Sequence, residues 1–181
     1  MRGSMIKELI GENDPYLREV PEEYTFEKSM EYEPEELRNI LFENMEHYVG
    51  YGLSANQLGI PYKAFAMIKD GDPIVCFNPE VKEYSDETNY VKEGCLSFPG
   101  LWFAVERASG VSVMYYDEEG EGKYGIFAGL SARIFQHEME HMDGELFTDN
   151  ISDLKLSMAM KRRKIYLRRM KRNVKKQQEI Y

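Results

Sequence analysis

His137 and His141 stand four residues apart in the run Gln136-His137-Glu138-Met139-Glu140-His141. On an α-helix that spacing puts both side chains on one face, roughly 5–6 Å apart at Cβ. Two neutral imidazoles so placed can grip one transition metal, while the Glu between them faces a water on that metal. The chain has three histidines, and two of them are here. Ala132, Ile134 and Phe135 predict that this helix is partly buried, and buried imidazoles need partners. The chemistry this predicts is metal-dependent hydrolysis.

A catalytic site of this kind wants three protein ligands and one open position. No further His follows the pair at close spacing. Cys95 is the best candidate for the third ligand, because it lies in a Gly- and Pro-flanked turn, Glu93-Gly94-Cys95-Leu96-Ser97-Phe98-Pro99. Cys76, in Ile74-Val75-Cys76-Phe77, reads as a small core hydrophobe. One thiolate with two imidazoles makes a borderline-soft site for Zn(II), Fe(II), Co(II) or Ni(II). A third segment, Gly50-Tyr51-Gly52-Leu53-Ser54-Ala55-Asn56-Gln57, combines small residues that let another backbone approach closely with a Gln amide able to face a developing oxyanion. Taken alone, a helix-ending turn with a satisfied Gln accounts for it as well.

The elements that must carry these residues follow from periodicity. Asp14-Pro15 opens a turn or a helix start, and residues 19–33 show no clear period. Pro34 and the acids after it begin a helix whose apolar positions are Leu37, Ile40, Leu41 and Met45, with Gly50 and Gly52 as its stop. Strand-like segments follow at Lys63–Lys69, Ile74–Asn78, Tyr90–Glu93, Leu101–Arg107, Val111–Asp117 and Gly122–Phe127, separated by Gly and Asp turn signals. The histidine pair sits on a helix from about Leu130 to His141, ended by Asp143-Gly144. A last helix runs from Asp153 over residues 153–178. The expected fold class is α+β, a largely antiparallel sheet wrapped around a central metal-binding helix, with an N-terminal helix and a long C-terminal one.

With 181 residues the chain is expected to be one catalytic domain. Met1-Arg2-Gly3-Ser4 reads as an expression-tag remnant, with Met5 the expected native start. No secretion signal and no membrane-length apolar run is seen, and two cysteines fit a reducing compartment, so a cytoplasmic location is expected. Charge is unevenly spread: the whole carries −9, yet from Ile151 onward eleven Lys and Arg face only Asp153 and Glu179, leaving −18 on residues 1–150. Leu154, Met158, Ile165, Tyr166, Met170 and Val174 fall near one stripe of this basic helix. Such a tail either docks on the acidic body by that stripe or offers a footprint for an anionic partner.

Together these segments resemble the peptide deformylase family, whose signatures run in this order: Gly-φ-Gly-φ-Ala-Ala-x-Gln, Glu-Gly-Cys-Leu-Ser and Gln-His-Glu-x-Asp-His. Asp14-Pro15-Tyr16-Leu17-Arg18 is similar to the family's opening. Ser54 stands where the family usually has the first Ala, and Glu140 where it has Asp; Trp102 stands near an Arg found in some bacterial relatives.

The resemblance implies removal of the formyl group from formyl-Met nascent polypeptides. It implies Cys95, His137 and His141 as metal ligands, Fe(II) as the preferred metal with Zn, Ni or Co in isolated protein, and Glu138 as general base. It further implies Gln57 and the Leu96 backbone N–H as oxyanion donors. Tyr51 and Gly94 would pair with the peptide backbone beside Gly52, with Tyr51, Leu130, Ile134 and His137 as walls of the methionine pocket. Arg107 and Glu93 are expected to pair structurally behind the loop. The resemblance also implies that the C-terminal helix docks on the ribosome near the exit tunnel. Two other classes fit less well: a His-Glu-x-x-His endopeptidase, against which Cys95 speaks, and an RNA-binding module with a structural metal, which would want four protein ligands.

Overall fold

The computed structural model describes residues 5–27 and 30–178, with side chains described through Leu167-Arg168-Arg169. Residues 1–4 therefore lie outside it, as do the side chains of Met170 and Val174. Asp14 caps a short 3-10 turn, Pro15–Arg18, by accepting the Tyr16 N–H at 3.0 Å. Helix α1 spans Pro34–His47 and buries Leu37, Ile40, Leu41 and Met45, the four positions its period predicts. Asn44 lies among them. Its amide donates to the Met5 and Ile40 carbonyls and accepts the Lys7 N–H, which ties the N-terminal segment to the helix.

The helix stops before either predicted glycine. Val49 adopts φ +57° and Gly50 N–H closes back on the Met45 carbonyl at 2.9 Å. A β-branched residue in the left-handed region is uncommon, and here it is highly exposed, so its side chain meets little resistance.

Five strands form an antiparallel sheet in the order β1-β2-β3-β6-β7: β1 Gly52–Ser54, β2 Ala64–Lys69, β3 Asp72–Tyr84, β6 Gly110–Tyr116 and β7 Gly122–Ala128. Strands β4 (Thr88–Glu93) and β5 (Phe103–Ala108) pair as a separate ribbon. Strand β3 extends well past Asn78, as a bulged strand against β6 with an exposed far end. Such an end leaves no continuous apolar run to read. Strand β1 has three residues and no period of its own.

Helix α2, Gly129–Met142, lies against β1 and β2 of the large sheet and reaches β5 of the ribbon. Eleven of its fourteen residues are buried, because two layers cover it, which is why polar residues on it must find internal partners. Asp143 ends it, and Gly144 at φ +71° turns the chain so that Glu145 N–H meets the Glu140 carbonyl.

Helix α3 spans Asp153–Gln178. Its docked face is not the predicted stripe. Leu156, Ala159 and Met160 pack against the cluster of Leu17, Phe98, Phe103 and Phe147. Arg163, one turn on, pairs with Glu12 and donates to the Pro99 carbonyl at 3.3 Å. Leu154, Met158, Ile165 and Tyr166 are exposed. The docked set keeps helical spacing, but an Ala and an Arg occupy two of its positions, so hydropathy alone points to the wrong side. Among the described residues no helix is long and apolar enough to cross a membrane.

Candidate metal centre and cavity

Three stretches distant in the chain meet at one end of a cavity of about 810 Å³. Helix α2 supplies His137, Glu138 and His141; the turn after β4 supplies Cys95 and Leu96; the 3-10 turn after β1, Ala55–Leu58, supplies Gln57. The two imidazole rings lie 5.4 Å apart, as one helical turn requires. Cys95 Sγ is 3.3 Å from His141 Nε2. One donor atom from each of Cys95, His137 and His141 lies within 4.8 Å of the others.

A tetrahedral ion with sulfur at ~2.3 Å and nitrogen at ~2.1 Å holds those donors about 3.6 Å apart, so the three side chains fit one cation without moving far. Burial keeps the His141 imidazole well below its ordinary pKa, helped by His137, and so in the neutral form a metal needs.

A second donor group, Glu93, His137 and Glu140, is equally close-knit. There the positive charge is already supplied. Arg107 Nε and Arg133 Nη1 both donate to Glu93 Oε2, each at 2.9 Å, and Glu140 accepts from both Arg107 terminal nitrogens. The Arg107–Glu93 pair is thus present as expected, and larger than expected. His137 Nδ1 sits 3.2 Å from Glu93 Oε1, leaving Nε2 toward Cys95 and the cavity. Burial raises the Glu93 carboxyl, but its hydrogen bonds to Arg107 and His137 outweigh that and bring it down to about 2. Glu93 therefore stays ionised and orients the ring.

Glu138 is buried, and its Oε2 has no hydrogen-bond partner among the described residues. Burial pushes its pKa up to about 7, against the pull of His137 and Arg107. Gly52 makes the room for it: a Cβ there would lie 2.3 Å from Glu138 Oε1 and 2.9 Å from Ile134 Cγ2. Gln57 is almost wholly buried, its Nε2 donating to Ser97 Oγ at 3.0 Å and to Cys95 Sγ at 3.3 Å. The Leu96 N–H meets no acceptor among the described residues.

Tyr51, Gly52, Gly94, Leu96, Leu130, Ile134, His137 and Glu138 all line the cavity, while His141 is buried and is not part of its lining. Tyr51, Leu130 and Trp102 are largely exposed and form its rim. Sequence reasoning missed three residues that brace the site: Arg133, Ser97 and Asn56. An Arg in the middle of a predicted buried face was the available signal for Arg133, and Ser97 closes the Glu-Gly-Cys-Leu-Ser signature; nothing marked Asn56. Cys76 is fully buried in β3, and burial pushes its thiol far up, as befits a core residue.

An α+β fold that converges a thiol, two imidazoles and a buried carboxylate on one open cavity defines a metal-dependent hydrolase. Residues 6–157 match the polypeptide deformylase family. The peptide deformylase of Thermotoga petrophila is 37% identical over 160 residues, 88% of this chain and 95% of that protein. The crystal structure of a peptide deformylase from Legionella pneumophila superposes with TM-score 0.81 at 32% identity, covering 92% of this chain and 98% of that one. A class I type b peptide deformylase from Acinetobacter baumannii, solved with Met-Ala-Ser bound, gives TM-score 0.75 at 28% identity, covering 81% and 98%. The chain belongs to the polypeptide deformylase family. The family match ends at residue 157, within α3.

Proposed function

We propose that this chain, acting as a single catalytic domain, hydrolyses the N-formyl amide of formyl-Met nascent peptides and releases formate. The observation that carries this is the Glu138 carboxylate: buried, with one oxygen unpartnered, beside three donors suited to one cation and facing a peptide-sized cavity. A divalent cation held by Cys95, His137 and His141, Fe(II) in our reading with Zn, Ni or Co able to replace it, would polarise the formyl carbonyl and make a bound water more acidic.

Glu138 takes the proton from the attacking water and hands it to the amine nitrogen as the C–N bond breaks. The Gln57 amide and the Leu96 N–H, the latter without a protein acceptor, receive the charge that develops on the former carbonyl oxygen. The peptide backbone pairs beside Tyr51 and Gly94, and the methionine side chain enters between Leu130, Ile134 and His137. That the Acinetobacter relative was solved with Met-Ala-Ser supports this class of ligand.

Replacing Glu138 by Ala tests the assignment. Metal content should stay at one ion per chain, while formate release from formyl-Met-Ala-Ser by anaerobically prepared Fe(II) protein falls by about 10³. Full turnover in that variant would remove Glu138 from the mechanism.

The exposed side of α3, with Lys161, Arg162, Lys164, Arg168 and Arg169, supports ribosomal RNA near the exit tunnel as a partner, and with it a cytoplasmic setting. Co-sedimentation with ribosomes should weaken steeply as salt rises and vanish on deletion of residues 158–181; binding indifferent to both would reject the partner.

A further inference from the structure

Ser54 is the residue in the Gly50–Gln57 segment that departs from the family pattern, and it is fully buried. Its hydroxyl lies 2.8 Å from Asn56 Oδ1 and 3.1 Å from Gln57 Oε1, while its own N–H donates to Gln57 Oε1 at 3.1 Å. Each amide then spends its nitrogen elsewhere. Asn56 Nδ2 donates to the His141 carbonyl at 3.0 Å, at the end of α2, and Gln57 Nε2 turns toward Cys95 Sγ and Ser97 Oγ.

An amide side chain can rotate by half a turn and exchange its oxygen and nitrogen with little change of shape. For Gln57 the two orientations are chemically opposite. With Nε2 toward the cavity it can stabilise an oxyanion; with Oε1 there it would repel one. The Ser54 backbone N–H favours the first orientation, as it would with any residue at 54. The hydroxyl has one proton, which lies between the two amide oxygens: it partners Asn56 Oδ1 at 2.8 Å and is shared with Gln57 Oε1 at 3.1 Å. Without it, Asn56 Oδ1 becomes a buried acceptor with no partner, and the cheapest repair is for the neighbouring amides to rotate.

We propose that Ser54 is a positioning residue that locks the Gln57 amide with its nitrogen facing the reacting carbonyl oxygen. This rests on the reading of Gln57 as an oxyanion donor, and the test separates the two. Ser54→Ala, Gln57→Ala and the double variant are compared by kcat and KM for formyl-Met-Ala-Ser, by metal content and by thermal unfolding. Ala is the usual family residue at this position, so the first variant keeps a side chain the fold accommodates.

Ser54→Ala should lower kcat about 5- to 10-fold, the size of one neutral hydrogen bond, with KM and metal content unchanged, and should add nothing on the Gln57→Ala background. Ser54→Cys, which keeps a weak donor, should recover part of the loss. An unchanged kcat in Ser54→Ala, or the same loss on both backgrounds, overturns the proposal. Full kcat in Gln57→Ala instead overturns the oxyanion reading beneath it.

Discussion

Glu140 and Arg107 meet through two parallel hydrogen bonds, Nη1 to Oε1 and Nη2 to Oε2, each 2.9 Å long. Arg107 also grips Glu93, and Glu93 sits against the inner nitrogen of His137. The acid two residues along from Glu138 is therefore linked to His137 by a buried chain of contacts, and its extra methylene relative to Asp still permits a bidentate grip.

Removing that grip has two readable consequences. The buried cluster balances Arg107 and Arg133 against Glu93 and Glu140, so Glu140→Ala leaves one positive charge uncompensated. Loss of one partner from a buried pair costs about 3 kcal/mol, which urea unfolding would register. The looser Arg107 also holds Glu93 less firmly against His137, and metal affinity, read by chelator competition, should fall about 10-fold. Unchanged affinity would show that this linkage stops at Arg107.

Gly52 tests the space around Glu138. An Ala Cβ at 2.3 Å from Glu138 Oε1 cannot coexist with the present carboxylate position. Gly52→Ala should displace Glu138 and lower kcat about 100-fold, the scale of a 1 Å misplacement, while the ligands Cys95, His137 and His141 keep their metal. Overpacking should also destabilise the fold by about 1–3 kcal/mol. Wild-type kcat in this variant would mean the carboxylate works from another position.

Acid stability should report on a remote pair. Asp149 accepts both Arg18 nitrogens, at 2.7 and 2.8 Å, and the Leu146 N–H at 3.0 Å. Its pKa is held below the ordinary 3.8, chiefly by the bond to Arg18. A carboxyl depressed in the folded state stabilises the fold above its unfolded pKa and loses that contribution as pH falls through the folded value. Asp149→Asn should therefore flatten the fall in stability below about pH 4 and leave the shape of the curve near neutrality alone. An identical acid limb in both proteins would show that the pair carries no linkage.

Helix α1 was legible because Leu37, Ile40, Leu41 and Met45 face one layer and so keep a clean period. Helix α2 was legible for another reason: the spacing of His137 and His141 and the Asp143-Gly144 stop survive burial on all sides. Strand β1 was not legible. Its three residues acquire strand geometry only by pairing with Phe65, Ala66 and Met67 of β2. The docked face of α3 was hidden because Arg163 contributes a charged end to it, and Glu12, the partner that makes burial of that charge tolerable, lies 151 residues away.

The chain's residue types and spacings by themselves determined the donor atoms: two imidazoles one helical turn apart, a carboxylate between them, a thiol in a tight turn and an amide after a glycine pair. Those follow from local geometry, which neighbours in sequence impose on one another. Only the tertiary structure decided which way each donor points. The orientation of His137 depends on Glu93, that of Gln57 on Ser97 as well as on its near neighbour Ser54, and the room for Glu138 on Gly52; the contacts with Glu93, Ser97 and Gly52 join segments whose proximity is set by packing between layers and by no pattern along the chain.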